Sequence, residues 1–337
     1  MNIAKRLLGI ALGMALGASA AQADDIPTIR IAWGGVPSGA APLAVLEKPG
    51  IALNEGKTYK LQFTHFGSSP PMITAVSTGD VDMAGLAYSS FALAVENAKL
   101  DDLRVIADVF QDGVEGYYST QFMVLNDSPI KTVEDLKGKI VTSNAAGSAV
   151  DMALRQMLTK HGLKDKRDYT LVESAFPNMK SQLLNHKVDL ISATLPFAAD
   201  AQLKASARTL FTQKDAIGRS QMIAMTVRES FLKKNHAAVV DFLADSLREL
   251  KWYADPAHHE EVVKAVTEFT KTSPELWDSY IFTKGDVYHD EKGLPDLDAF
   301  QRNIDTQLEL GFLPKPLDIK KYTDLSLVQE AVRQLAP

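Results

Sequence analysis

The chain has no cysteine in 337 residues. That excludes a disulfide framework, a thiolate nucleophile, a cysteine-based zinc site and a lipid attached at a processing point. Histidine is scarce, at 7, and badly spaced for a metal. His258, His259, Glu260 and Glu261 are consecutive on a helical pattern, so they point in different directions and read as a solvated face. Basic residues are outnumbered 36 to 42, for a net charge of -6, which argues against a nucleic-acid partner. Long apolar runs are missing beyond the N-terminus. There, Lys5 and Arg6 precede an apolar stretch from Leu7 to Leu16 and then Ala21, Gln22 and Ala23. This is the order of a secretory signal peptide cleaved near Ala23, too short for the roughly 20 apolar residues of a membrane anchor. An exported chain without an anchor is expected to be free in the periplasm.

Motifs for chemistry are also missing. "TSNAAGSA" has no lysine for a Walker loop, and there is no G-x-G-x-x-G, G-x-S-x-G or H-E-x-x-H. No catalytic residue, metal or cofactor is therefore expected. What is present is alternation: short branched apolar runs such as "TIRIAWG", "KLQFTHF", "GKIVTS" and "VDLISATL" are separated by helical repeats such as Val150, Ala153, Leu154, Met157 and Leu158. This predicts an α/β fold with mainly parallel sheets flanked by helices. The length suggests two lobes. Shifted by 107 positions, "GSSPPMITAVSTGDVDMAG" lies over "SAFPNMKSQLLNHKVDLIS", matching Pro70 to Pro177, Met72 to Met179, Val81 to Val188 and Asp82 to Asp189. A similar shift lays "IRIAWGGVPSGAA" over "GKIVTSNAAGSAV". Two similar lobes would explain both. Beyond about residue 223 the pattern is mostly helical, and these helices are expected to pack on the first lobe.

Ligands of open α/β sheets sit where strand ends lead into helix N-termini. The candidate loops are small and polar: Trp33, Gly34, Val36, Pro37 and Ser38; Gly67, Ser68 and Ser69; Tyr88, Ser89 and Ser90; Ser143, Asn144, Gly147 and Ser148; Phe176 and Asn178; Thr194 and Phe197. Free N–H groups and the helix dipole there favour an anion. For any one loop an ordinary N-cap explains the residues equally; several loops in matched lobes point to a cleft. Trp33, Tyr88, Phe176 and Phe197 would cover an apolar tail. His65 ends a strand and reads either as a ligand contact or as a satisfied core histidine.

"TVEDLKGKIVTSN", "STGDVDMAGL", "HKVDLISATLPF" and "IRIAWG...APLAVLEKPGI" resemble the periplasmic solute receptors of ABC importers, in the nitrate, sulfonate and taurine group. The resemblance implies a periplasmic binding protein fold of type II, with lobe I at 24–117 and 223–337 and lobe II at 118–222. Two hinge crossings are implied near 117–121 and 218–223, placing Gln121 and Arg219 near the cleft floor. It further implies a monomer that captures a small organic anion, a sulfonate or carboxylate, aromatic ones included, and docks on an inner-membrane permease with its ATPase. In other members an acid or a tryptophan often precedes the proline of "LPF"; here it is Leu195, which sets this chain apart from receptors that contact a cationic group there. Alternatives are the thiamin-pyrimidine enzymes and pyrimidine binders on the same scaffold, whose cysteine-rich motif is absent here, and TRAP-type receptors.

Overall fold

The computed structural model describes residues 26–335 apart from Glu47 and Pro49, so the signal-peptide reading of 1–23 lies outside the described residues. Among the described residues the strands are β1 (Thr28–Gly34), β2 (Lys60–Phe66), β3 (Met83–Ala87), β4 (Leu103–Asp112), β5 (Gln121–Leu125), β6 (Ile140–Ser143), β7 (Thr170–Glu173), β8 (Ile191–Ala193), β9 (Ala207–Thr212) and β10 (Ser220–Arg228). The helices are α1 (Pro37–Ala40), α2 (Leu43–Leu46), α3 (Ser69–Thr78), α4 (Tyr88–Glu96), α5 (Ala149–Lys160), α6 (Phe176–Leu184), α7 (Ala201–Ser206), α8 (Gln213–Ile217), α9 (Glu229–Tyr253), α10 (His259–Thr270), α11 (Glu275–Asp278), α12 (Leu297–Glu309) and α13 (Ser326–Leu335).

The first sheet has the order β2-β1-β3-β10-β4. β1 is parallel to β2 and β3, while β10 runs antiparallel to β3 and β4. The later strands form a β8-β5-β9 sheet and a β6-β7 pair. β5 is antiparallel to β8 and β9, β6 is parallel to β7, and a parallel bridge from Val141 to Leu190 joins the two parts. Read across that bridge, the order is β7-β6-β8-β5-β9, which repeats the first sheet with β5 standing where β10 stands. Each unit is therefore mixed, with one strand against four. The cause is the crossing of the chain: the strand after β4 joins the second unit, and β10, after β9, returns to the first. The chain passes over between Asp112 and Gln121 and back between Thr212 and Ser220.

Residue spacing explains the packing. On β1 the alternate residues Ile29, Ile31 and Trp33 face one core with Leu232, Phe242 and Leu243 of α9, whereas Ala32 faces the other with Met72, Ala84 and Tyr88. Asp245 is fully buried on α9. It is tolerated because it accepts from Leu53 N (3.1 Å), Asn54 N (2.9 Å) and Tyr59 Oη (2.7 Å) and is paired with Arg248. That carboxylate pins the segment before β2 to α9. Helices α10, α12 and α13 pack on α2, α4 and α9, so the C-terminal helices lie against the first sheet.

Candidate functional site

The carboxyl ends of β1, β2 and β3 form one continuous edge. Gly34 has φ +152°, and a Cβ there would stand 1.8 Å from Phe66 O. Only glycine lets the β1 and β2 ends approach this closely. Gly35 N–H donates to Phe66 O (3.3 Å), and Ala87 N–H to Ser69 Oγ (3.4 Å). These bonds bring Gly34, Ser68, Ser69, Tyr88 and Ser89 together. Val36 is the N-cap and Pro37 the first residue of α1, and Gly67 is exposed at the end of β2.

The helix starts on this edge are electrostatically bare. Ser68 caps α3 and Ala87 caps α4 without a side-chain bond, and neither helix has an acid in its first turn. Both present positive dipole ends; the first turn of α4 carries the N–H groups of Tyr88, Ser89 and Ser90, whereas in that of α3 Pro70 and Pro71 have none and only Ser69 supplies one. Ser38, Ser89 and Ser90 are fully buried, and their hydroxyls have no partner within the protein. In the second unit Thr194, just beyond β8, is in the same condition.

The first turn of α5 is different. Ser148 Oγ accepts from Asp151 N (3.2 Å) and donates to Asn144 Oδ1 (2.7 Å). Asp151 is fully buried and accepts from Gly147 N (3.0 Å), Ser143 Oγ (3.3 Å) and Arg155 Nε (3.0 Å). Arg155 also reaches Asp165 (2.8 Å). Burial pushes the Asp151 carboxyl up against the pull of Arg155. The anion-like place at this helix start is thus held by the chain's own carboxylate, with Ser143 spent on Asp151 and Ser148 on Asn144. Sequence reasoning passed over Asp151, although "SAVD" places an acid three residues after an N-cap serine.

The two units touch across the edge. Tyr88 Oη donates to Ala149 O (3.3 Å), and the Leu93 side chain would lie 3.0 Å from a Cβ on Gly147. Tyr118, in the first crossing, donates to Ala193 O (2.6 Å), next to Thr194; burial raises the pKa of both tyrosines, so both keep their protons. Gln121 pairs with Ala193 on one side and Thr212 on the other. Phe197 is half-buried and Phe176 buried.

Two expected contacts, Trp33 and Arg219, are engaged by other side chains. Trp33 shares the face of Ile29 and Ile31, and its ring is stacked on Phe269 (4.6 Å) and tilted against His65 (4.4 Å). His65 itself is exposed, so it is not the satisfied core histidine, and partial desolvation of its ring lowers its pKa. Arg219 is bound to Asp296 (2.9 Å) and Gln111 (2.6 Å), which is its salt-bridge reading. Asn178 is exposed on α6, its N–H bonded to Ala175 O. Among the described residues no group of three or more His, Asp or Glu side chains could hold a metal.

Comparisons with known proteins bear on the family and the fold. A family model described as NMT1/THI5 like matches residues 61–258. YtlA of Bacillus subtilis (strain 168), described as a binding protein, is 22% identical over 244 residues, 72% of this chain and 70% of YtlA. The periplasmic aliphatic sulphonate binding protein SsuA of Escherichia coli superposes with a TM-score of 0.68 at 18% identity, over 88% of this chain and 97% of SsuA. The periplasmic nitrate-binding protein NrtA of Synechocystis PCC 6803 gives 0.72 at 15%, over 92% and 89%. The desulfurization enzyme DSZB gives 0.66 at 16%, over 92% and 100%. At such identities the likeness establishes the fold, that of the type II periplasmic binding proteins.

Proposed function

Since the chain belongs to the NMT1/THI5-like family, we propose that it is the substrate-binding component of an ABC importer that captures a small organic anion. The observation that carries this is the set of buried hydroxyls without partners, Ser38 and Ser89 on one unit and Thr194 on the other. A buried hydroxyl left unpaired costs about 1–3 kcal/mol, so a ligand that accepts from all three recovers what folding gives up. An anion suits the site because α3 and α4 present bare N-termini, while Asp151 already fills the corresponding place on α5. The anionic head therefore belongs to the first unit, and Thr194, Phe176 and Phe197 meet the rest of the molecule. Trp33 drops out of the tail cover, being stacked beneath Phe269.

The units 24–117 with 223–337 and 118–222 act as lobes that close on the ligand, hinged at the two crossings. The bond from Tyr88 to Ala149 O, already made in this structure, would hold the lobes together on that side. The receptor works as a periplasmic monomer after signal cleavage and delivers its ligand to a membrane permease. A sulfonate or carboxylate is the class favoured, in keeping with what SsuA is named for; the aromatic side chains suit a ligand larger than nitrate. DSZB shows that the scaffold also serves an enzyme. The absence of cysteine and of paired catalytic groups at this edge favours binding.

The test is native mass spectrometry of the purified chain, then thermal melting against alkanesulfonates, aromatic carboxylates and nitrate. A ligand at 100 times its Kd adds about 2.7 kcal/mol of stability. Ser89→Ala and Thr194→Val are each expected to weaken the responding anion roughly tenfold or more. If no anion shifts the transition, the reading fails.

A further inference from the structure

A cavity of about 70 Å³ lies inside the first unit, between β4, β10 and α9. None of its lining residues belongs to the second unit, so it is separate from the edge described above. Its walls are mostly apolar, with Leu43, Met225, Phe242 and Leu247 among them. Four polar side chains break that pattern, of which Asp108 and Ser246 are bonded within the protein and Glu249 and His289 each leave an atom unpaired. Glu249 is 1% exposed, and its Oε1 has no hydrogen-bond partner. His289 gives Nδ1 to Val109 O at 2.6 Å, and its Nε2 is sealed from solvent with no partner.

The protonation states follow from the contacts. A carbonyl only accepts, so Nδ1 carries the proton and the neutral ring leaves Nε2 as a lone-pair acceptor. Burial holds the His289 pKa down to about 4 and pushes the Glu249 carboxyl well up. Glu249 is then a neutral acid that can donate. Asp108, which also lines the cavity, is satisfied by Gln221 Nε2 and Asp290 N. A hydroxyl complements the unpartnered pair, accepting from Glu249 and donating to His289 Nε2. An anion would meet two acids. The volume is about half that of a benzene-sized cavity, with room for roughly two waters or about four non-hydrogen atoms. Leu247, Leu250 and His289 also line a groove of about 900 Å³, which offers a way in.

We propose that this cavity is a second ligand site, for a small neutral alcohol whose hydroxyl bridges Glu249 and His289 and whose carbons lie against Leu43, Met225 and Leu247. The probe is 2-propanol, titrated into the full mature chain labelled with ¹⁵N in histidine. The expected result is a saturable shift of the His289 Nε2 resonance. Affinity should fall about tenfold in Glu249→Leu and vanish in Ala107→Leu, which fills the cavity from β4. A response that does not saturate, or equal affinity in both variants, overturns the site. So does a crystal soaked in 2-propanol with water alone between the two side chains. Neither result touches the anion reading, which rests on other residues.

Discussion

Replacing Asp151 by alanine probes the one loop whose role the structure redefined. Asp151 is fully buried, and its removal strands three donors: Gly147 N–H, Ser143 Oγ and Arg155 Nε. Breaking a buried ion pair from one side costs about 3–5 kcal/mol. The lower figure applies here, because Arg155 keeps Asp165 at 2.8 Å and is itself 15% exposed. For a chain of this size each kcal/mol moves the midpoint by roughly 2 °C, so Asp151→Ala should melt about 6 °C lower. Asp151→Asn, which keeps the shape and loses the charge, should fall between. The replaced carboxylate leaves a space that a small anion fits, so formate should recover part of the loss in Asp151→Ala and leave the parent chain unchanged. Differential scanning calorimetry with and without formate reads both effects. A loss below about 1 kcal/mol, or formate acting equally on both proteins, would refute the claim that this carboxylate holds the α5 turn.

Gly34→Ala should destabilise the chain by several kcal/mol or stop it folding, since its Cβ meets a backbone carbonyl that cannot step aside; soluble yield and melting temperature report it. Burial raises the Asp286 carboxyl from 3.8 to about 7. Because the folded pKa lies above the unfolded one, the native state holds the extra proton, and the stability it confers is complete below about pH 4 and lost as pH rises through 7, at about 1.4 kcal/mol per unit. Asp286→Asn should therefore flatten the fall in stability between those pH values; an unchanged slope would count against the assignment. His289 acts in the opposite sense. Its pKa falls from 6.5 to about 4, so its contribution is lost on acidification through that window, and His289→Phe should remove it. Tyr88→Phe loses the bond to Ala149 O, worth about 1 kcal/mol; small-angle scattering of the ligand-free protein should show a larger radius of gyration.

The alternation of branched runs and helical repeats was enough to read the α/β class, and the internal match of Gly67 onwards with Ser174 onwards anticipated two units of the same strand order. That pattern is legible because strand and helix periods are local properties of the chain. The same rule could have placed Trp33 on the face of Ile29 and Ile31. The candidate loops do lie where strands lead into helices, but their tasks were not separable in the sequence: Ser89 and Ser148 look alike as letters, and one has no partner while the other is spent on Asn144 and Asp151.

Composition and periodicity thus settled the fold class, the lack of thiolate chemistry and the places where strands end. Partner choice was decided by tertiary structure: Arg219 meets Asp296, Trp33 meets Phe269, Tyr88 meets Ala149, and β5 and β10 exchange units. The physical reason is distance in sequence. A donor's worth depends on whether burial leaves it an acceptor, and those acceptors come from segments that only the folded chain brings alongside.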